Sequence, residues 1–229
     1  MESLKKYWSD VPLLALVAAN VVPLWGVVCL GWDAFYIVLL YWAENLAVGF
    51  YNILKIALAK VAHPAEHLGK LFVIPFFIIH YGGFTAVHGF FVLMLFKKGE
   101  GESLTGRSWP CFLVFVQMLL NVIGQAYSVM PAPMKFALAG LFLSHGVSFV
   151  YNYLLKKEFA TAKPQKLMAS PYARVVVMHF AIIAGAFLTM AIGSPVAILI
   201  VLVVLKTVID TALHLREHKK LKLQSMTLQ

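Results

Sequence analysis

The sequence predicts an all-α membrane protein, a polytopic bundle of about seven transmembrane helices. Hydrophobic residues make up 61% of its 229 residues and charged residues only 13%, about half the charged share that is usual in a soluble domain. A soluble domain of this size has too little interior to bury so much apolar surface. The apolar residues form solid runs without β-barrel alternation, which favours helices in lipid. Composition therefore excludes a soluble or disordered chain and predicts one transmembrane domain over residues 1–229.

The first four predicted helices are apolar runs of about 20 to 26 residues, which is long enough to cross a bilayer. The breaks between them contain glycine and charged residues, which are typical of turns and loops. These breaks are the turn 31–33, the polar loop 59–70 and the Gly-rich charged loop 97–108. The resulting helices are Val11–Leu30, Ala34–Leu58, Leu71–Phe96 and Trp109–Val129.

Turn and loop residues also separate the last three predicted helices. Pro131 and Pro133 mark the turn before the fifth helix, and the charged loop 156–170 precedes the sixth. Gly193-Ser194-Pro195 forms a tight turn before the seventh. The helices are Lys135–Leu155, Tyr172–Ile192 and Val196–Arg216. Six crossing helices are the alternative, if the first one lies in the membrane interface.

The distribution of Lys and Arg predicts the orientation. With seven crossings, the N-terminus, the loop 59–70 and the turns 130–135 and 193–195 fall on one side. The loops 97–108 and 156–170 and the C-terminus fall on the other side, which carries more Lys and Arg. The positive-inside rule then places the N-terminus outside and the C-terminus inside. The net charge of +9 fits basic loops beside anionic lipid, and since the cations are scattered between apolar runs, no nucleic-acid partner is expected.

Ionisable residues inside the apolar runs are the candidate functional residues, because a charged or polar group in the membrane is costly. Counted from the predicted cytoplasmic ends of the helices, five of them fall in one layer of the inner leaflet: Glu44, His88, His179, Asp210 and His214. The others are His80, His145 and Lys206, and the polar Asn45 lies beside Glu44.

A divalent metal site is the leading interpretation of this layer. Asp210 and His214 have the i, i+4 spacing that presents two ligands to one ion on a helix face. Together with His88 and His179 they form a three-histidine, one-carboxylate set, which suits zinc. Glu44 would then be a further ligand or the general base for a metal-bound water, so the predicted chemistry is hydrolysis of a lipid or another membrane-accessible substrate.

Three alternatives remain open at this stage. Glu44, His80, His145, Lys206 and Asp210 could form the proton or ion relay of a transporter or channel. His80 and His145, both near mid-membrane, could ligate a haem iron, although a hydrogen-bonded pair is favoured. Finally, these residues could simply hold helices together through hydrogen bonds. The substrate is left open, and a homo-oligomer is compatible with the sequence.

Three segments resemble an uncharacterised family of bacterial integral membrane proteins, a domain of unknown function. They are Tyr41-Trp42-Ala43-Glu44-Asn45, the ten-residue run 80–89 with the sequence HYGGFTAVHG, and the run 205–218 with the sequence LKTVIDTALHLREH. The resemblance covers most of the chain. It implies a multi-pass protein of the bacterial inner (cytoplasmic) membrane, and it brings no known activity.

Overall fold

A computed structural model describes residues 24–61, 64–96, 109–194 and 196–208. Within these residues the chain is helical and has no β-strand. The contacts divide the chain into two compact units, one of residues 35–182 and one of residues 1–34 with 183–229. The prediction of an all-helical protein is confirmed, and the single domain over 1–229 stays a prediction.

Each of the seven predicted helices has a helical counterpart in the described residues. Two of them, Ala34–Leu58 and Tyr172–Ile192, have the predicted boundaries. In chain order the helices are α1 (24–30), α2 (Ala34–Leu58), α3 (Pro64–Leu95), α4 (Leu113–Val129), α5 (Ala132–Ser148, continued by a π-helical segment Phe149–Leu155), the short α6 (Pro164–Ala169), α7 (Tyr172–Ile192) and α8 (Val196–Val208). A 3-10 turn, Glu158–Ala160, lies between α5 and α6.

In the part of the chain that the structure describes, four helical stretches are long and apolar enough to cross a membrane. They are Ala34–Leu58, His67–Leu95, Ala132–Leu155 and Pro164–Ile192. Two further apolar helices, α4 and the described part of α8, are shorter. The chain is therefore an integral membrane protein.

The helix α3 begins earlier than the sequence predicts, because Lys70 turns inward instead of facing water. Its side chain is buried, and its ammonium group donates hydrogen bonds to the carbonyls of Ala57, at 3.1 Å, and Ala59. These carbonyls lie at the end of α2, where the last turn of a helix lacks internal donors. The lysine thus caps the C-terminal end of α2, and the residues from Pro64 onward are part of α3.

Contacts at the end of α2 revise the predicted sidedness. The Lys60 amide donates to the Phe159 carbonyl at 2.8 Å, the Tyr153 hydroxyl donates to the Lys55 carbonyl at 2.6 Å, and the Asn52 amide donates to the Leu167 carbonyl at 2.9 Å. The segment around residue 60 and the segment 156–170 therefore lie on the same side of the membrane, whereas the sequence prediction put them on opposite sides.

An even number of crossings must then separate residues 58 and 156. The helices α3 and α5 contain two candidate spans, whereas α4 has only 17 residues and is not a candidate span. The count of Lys and Arg on two sides put residue 60 and residue 159 on opposite sides, which the bond between Lys60 and Phe159 contradicts. The outside N-terminus and inside C-terminus remain predictions without that support.

Glycines allow close packing inside the unit 35–182. A Cβ atom on Gly89 of α3 would lie 2.5 Å from the indole ring of Trp42 on α2, and one on Gly83 would lie 3.3 Å from Phe115 on α4. The Trp42 indole, which is 1% exposed, donates to the Thr85 carbonyl at 2.7 Å. Small residues thus bring α2 and α4 against α3, which is how membrane helices commonly gain packing energy.

The second unit contains α8 and the end of α7 from Ile183 onward. Gly193 takes a positive φ of 75°, and its amide donates to the Thr189 carbonyl at 2.8 Å, so the turn closes tightly as predicted. A Cβ atom on Gly185 would lie 2.6 Å from the Ile198 backbone. The α8 side chains Ile198 and Leu199 are fully buried.

Candidate functional site

Two of the predicted metal ligands meet across two helices. His88 on α3 and His179 on α7 approach with Nε2 of His88 and Nδ1 of His179 only 3.1 Å apart. His88 is 3% exposed, while His179 is exposed. One imidazole nitrogen can donate and the other accept at this distance, so the pair is hydrogen-bonded when both rings are neutral.

An apolar cavity of about 710 Å³ lies beside this pair. Its lining includes His80, His88 and His179, and the rest of its wall is almost entirely apolar, from residues such as Leu71, Phe76 and Phe115. A concave apolar site with few polar groups is the usual form of a small-molecule site. The three histidines are the groups through which this cavity could orient or react with a ligand.

His80 has a different partner from the one considered in the sequence analysis. Its Nδ1 lies 2.7 Å from the hydroxyl of Tyr172 at the start of α7, and its ring stacks on Phe76 with centroids 5.0 Å apart. His145 instead approaches Glu44. The structure thus gives the two histidines separate partners, Tyr172 and Glu44, and the facing pair of His80 and His145 stays a prediction.

Glu44 forms a second polar cluster with residues of two other helices. Its carboxylate accepts a contact from Nη1 of Arg174 at 2.5 Å, and Nε2 of His145 lies 3.7 Å from the same oxygen. The Glu44 side chain is only 20% exposed. A carboxylate at membrane depth is thereby compensated by a guanidinium group, which is the expected arrangement for a charge inside a membrane.

Arg174 was missed as a site residue by the sequence analysis. It is only the third residue of its helix, so in the sequence it adjoins the basic loop 156–170 and does not stand out from the cations of that loop. The available signal was its place inside an apolar run, two residues after Tyr172. A cation there needs a partner just as Glu44 does.

Asn45 has a structural role in the described contacts. It is 5% exposed, its side-chain amide donates to the Tyr41 carbonyl at 3.2 Å, and its own carbonyl accepts the Tyr81 hydroxyl at 3.0 Å. The first bond lies within α2, and the second joins α2 to α3 beside Glu44. Asn45 therefore helps to position this part of α2.

The remaining site predictions fall on the end of the chain. Lys206 lies on α8, in the second unit, and Asp210 and His214 lie outside the described residues. Among the residues that are described, no group of three or more His, Cys, Asp or Glu side chains is placed to hold a metal ion. The described part of the predicted metal site is thus the pair His88 and His179.

Comparison with known proteins assigns the chain to a protein family. A family of unknown function, DUF6498, matches residues 3–226. Neither the curated proteins nor the solved structures contain a match to the chain. The prediction of an uncharacterised family is confirmed.

Proposed function

Since the chain belongs to the family of unknown function DUF6498, we propose a function from its own residues, that of an intramembrane metal-dependent hydrolase. His88 and His179 would be two ligands of one divalent metal ion, and Asp210 and His214 would supply the others. The observation that carries this proposal is the 3.1 Å approach of the two histidine nitrogens beside a large apolar cavity.

The spacing of the two nitrogens supports a shared ion. Two imidazole ligands of a tetrahedral zinc, each about 2.0–2.1 Å from the metal, have nitrogens about 3.3 Å apart. The separation of 3.1 Å between His88 and His179 is close to that value. Zinc suits a set of three imidazoles and one carboxylate, and when bound it supplies an activated water for hydrolysis.

The adjoining cavity supports a membrane-accessible substrate. Its volume of about 710 Å³ lies within the usual range for ligand pockets. Apolar side chains form most of its wall, so it would accept the hydrocarbon part of a lipid, while the histidines face the bond to be cleaved. The bilayer would deliver such a substrate, which fits the four apolar spans.

Glu44 is left out of the metal's ligands in this proposal, because Arg174 and His145 already engage its carboxylate. Its predicted role as general base for the metal-bound water stays a proposal. Hydrolysis by a Glu44→Gln variant that still binds metal would be strongly reduced if Glu44 is the base, and unchanged if it is only a structural ion-pair partner.

Metal analysis of the purified full chain tests the metal site directly. We expect about one zinc ion per chain after loading and desalting, and loss of that ion in His88→Ala, His179→Ala and His214→Ala. His80→Ala is the matched control, because His80 lines the same cavity but bonds to Tyr172. A wild-type protein without stoichiometric metal, or an equal loss in the control, would refute the proposal. The absorption spectrum of the same sample tests haem, which would give a Soret band.

Proton or ion transport is the second candidate function, and the cluster around Glu44 favours it. Glu44 and His145 come from different helices and their nearest atoms lie 3.7 Å apart, so a small side-chain movement would bring them within the hydrogen-bond distance that direct proton transfer needs. The proposed relay would include His80, Lys206 and Asp210. Liposomes that hold the protein should then show pH- or ion-dependent flux that Glu44→Gln abolishes, and flux equal to that of empty liposomes rejects this candidate.

The location and the partners complete the proposal. We place the protein in a bacterial inner membrane with the bilayer lipids as its partners, a lipid or an ion as its substrate, and self-association as a homo-oligomer where helices pair. The four apolar spans support the membrane part of this assignment. Membrane fractionation and the mass of the detergent-solubilised protein test the location and the oligomeric state.

A further inference from the structure

A polar cavity of about 240 Å³ lies apart from the histidine pair, between α2, α5 and the start of α7. Its lining includes the cations Lys55 and Arg174, the hydroxyl groups of Tyr51, Ser148 and Ser170, and the amide of Asn52. It shares no lining residue with the cavity of His88 and His179. The hydroxyls of Tyr51 and Ser170 donate to backbone carbonyls, so the two cations, the Ser148 hydroxyl and the second N–H of the Asn52 amide are the groups that favour an anion.

The charges around this cavity leave a net positive site. Glu44 forms an ion pair with one of the two cations, Arg174. The other, Lys55, lies 5.7 Å from the centroid of the Tyr153 ring. Arg174 contacts Glu44 through Nη1, and its planar group has further N–H donors that can face an anion.

The cavity lies where a membrane protein meets lipid headgroups. Lys55 is three residues from the end of the span Ala34–Leu58. Arg174 and Ser170 lie at the start of α7, and the π-helical end of α5 closes the site. At the rim, the Lys156 ammonium donates to Asn152, whose amide donates to Ser148. These are the ends of three helices that pack together, at the depth where anionic headgroups contact basic pockets.

An apolar groove continues from this cavity along α5. The groove has a volume of about 790 Å³, and residues such as Leu54, Phe142, Leu143 and Val147 line it. Tyr51 and Phe149 belong to both linings, so the polar and apolar spaces adjoin. From Leu155 to Ala139 the groove follows about 24 Å of helix at 1.5 Å per residue, comparable to an extended acyl chain.

The junction between the two spaces is held in a fixed shape. The Tyr51 hydroxyl donates to the Phe142 carbonyl at 3.1 Å, and a Cβ atom on Gly146 would lie 2.6 Å from that hydroxyl. Glycine at this position therefore makes room for the tyrosine. The ring stands between the polar head space and the apolar groove, as an amphiphilic ligand requires.

We propose that this cavity and groove bind an anionic phospholipid, with the phosphate between Lys55 and Arg174 and one acyl chain along α5. The arrangement of a net positive head space joined to an apolar groove matches both parts of such a lipid. The site is separate from the proposed metal centre, so lipid binding here does not depend on whether the protein is a hydrolase.

Native mass spectrometry of the full chain tests this site, after extraction from vesicles of phosphatidylglycerol and phosphatidylcholine in equal amounts. We expect one retained phosphatidylglycerol per chain. Lys55→Gln should weaken its binding by roughly tenfold, because it removes a charge-assisted hydrogen bond, and Lys55→Arg should restore it. Lys135→Gln is the matched charge control, since Lys135 lies at the other end of α5 over the Tyr127 ring.

Two further variants test the groove. Leu143→Trp should fill it and reduce retention of the lipid, whereas Leu120→Trp, at an exposed position of α4, should not. Unchanged binding in both Lys55→Gln and Leu143→Trp, with elution and thermal unfolding like the wild type, would overturn the proposal. Complete displacement of the lipid by low-millimolar inorganic phosphate would identify a site for a soluble anion instead.

Discussion

The backbone amide of Lys60 donates a hydrogen bond to the carbonyl of Phe159 at 2.8 Å, and this bond fixes the topology of the larger unit. It joins the end of α2 to the segment after α5, so both lie on one side of the membrane. The helix α4 between them packs on α3. The helices with candidate spans supply the residues of both polar clusters, the pair of His88 and His179 and the cluster around Glu44.

Cysteine labelling tests this topology. In a background where Cys29 and Cys111 are replaced by serine, Lys60→Cys and Glu158→Cys should react with a membrane-impermeant maleimide from the same side. Ala132→Cys, at the start of α5, should react from the opposite side, since one crossing separates it from residue 158. Labelling of residues 60 and 158 from opposite sides would restore the seven-crossing topology.

The contact between Trp42 and Gly89 predicts a sharp sensitivity to side-chain size. Gly89→Ala should lower the stability by about 1–3 kcal/mol, because its methyl group would overlap the buried indole ring. Gly124→Ala is the control, since open space surrounds that position and alanine favours helix by about 0.5–1 kcal/mol. Thermal unfolding in detergent measures both, and equal stability of the two variants would contradict the packing described.

The ion pair of Glu44 and Arg174 predicts a coupled loss of stability. Arg174→Gln should cost about 1–3 kcal/mol, because it leaves a half-buried carboxylate without its cation. The double variant Glu44→Gln with Arg174→Gln should recover part of this loss, and a thermodynamic cycle gives the coupling. Strictly additive effects would show that the pair contributes no coupling.

The buried ammonium of Lys70 predicts a structural role for a residue that the sequence assigns to a loop. Lys70→Met should cost about 1–3 kcal/mol, because the carbonyls of Ala57 and Ala59 lose a charged donor. Lys135→Met, in which the lost contact is with the Tyr127 ring, should cost less than about 1 kcal/mol. Chemical denaturation of both variants under the same conditions gives the two stability losses. A larger loss in Lys135→Met than in Lys70→Met would contradict the capping role of Lys70.

The candidate sites were predictable only in part. The free-energy cost of placing an ionisable group in the membrane was enough to identify His88, His179, Glu44 and His145 as candidates. In the structure, each of these four side chains contacts a polar partner. The meeting of His88 and His179 is observed, although the shared inner-leaflet layer predicted for them rested on a sidedness that the structure revises. The pairing of Glu44 with Arg174 was not predictable, because helix register across α2 and α7 depends on packing and not on spacing along one helix.

The sequence by itself determined the lipid environment, the helical class and most helix boundaries. Long apolar runs can satisfy their backbone hydrogen bonds in lipid only as helices. Tertiary structure alone decided which helix ends lie together and which side chains meet. Those features depend on contacts between residues that are distant in the chain, such as Lys60 with Phe159 and Gly89 with Trp42. Periodicity within one helix contains no information about them, whereas the fit of an indole ring against a glycine settles them.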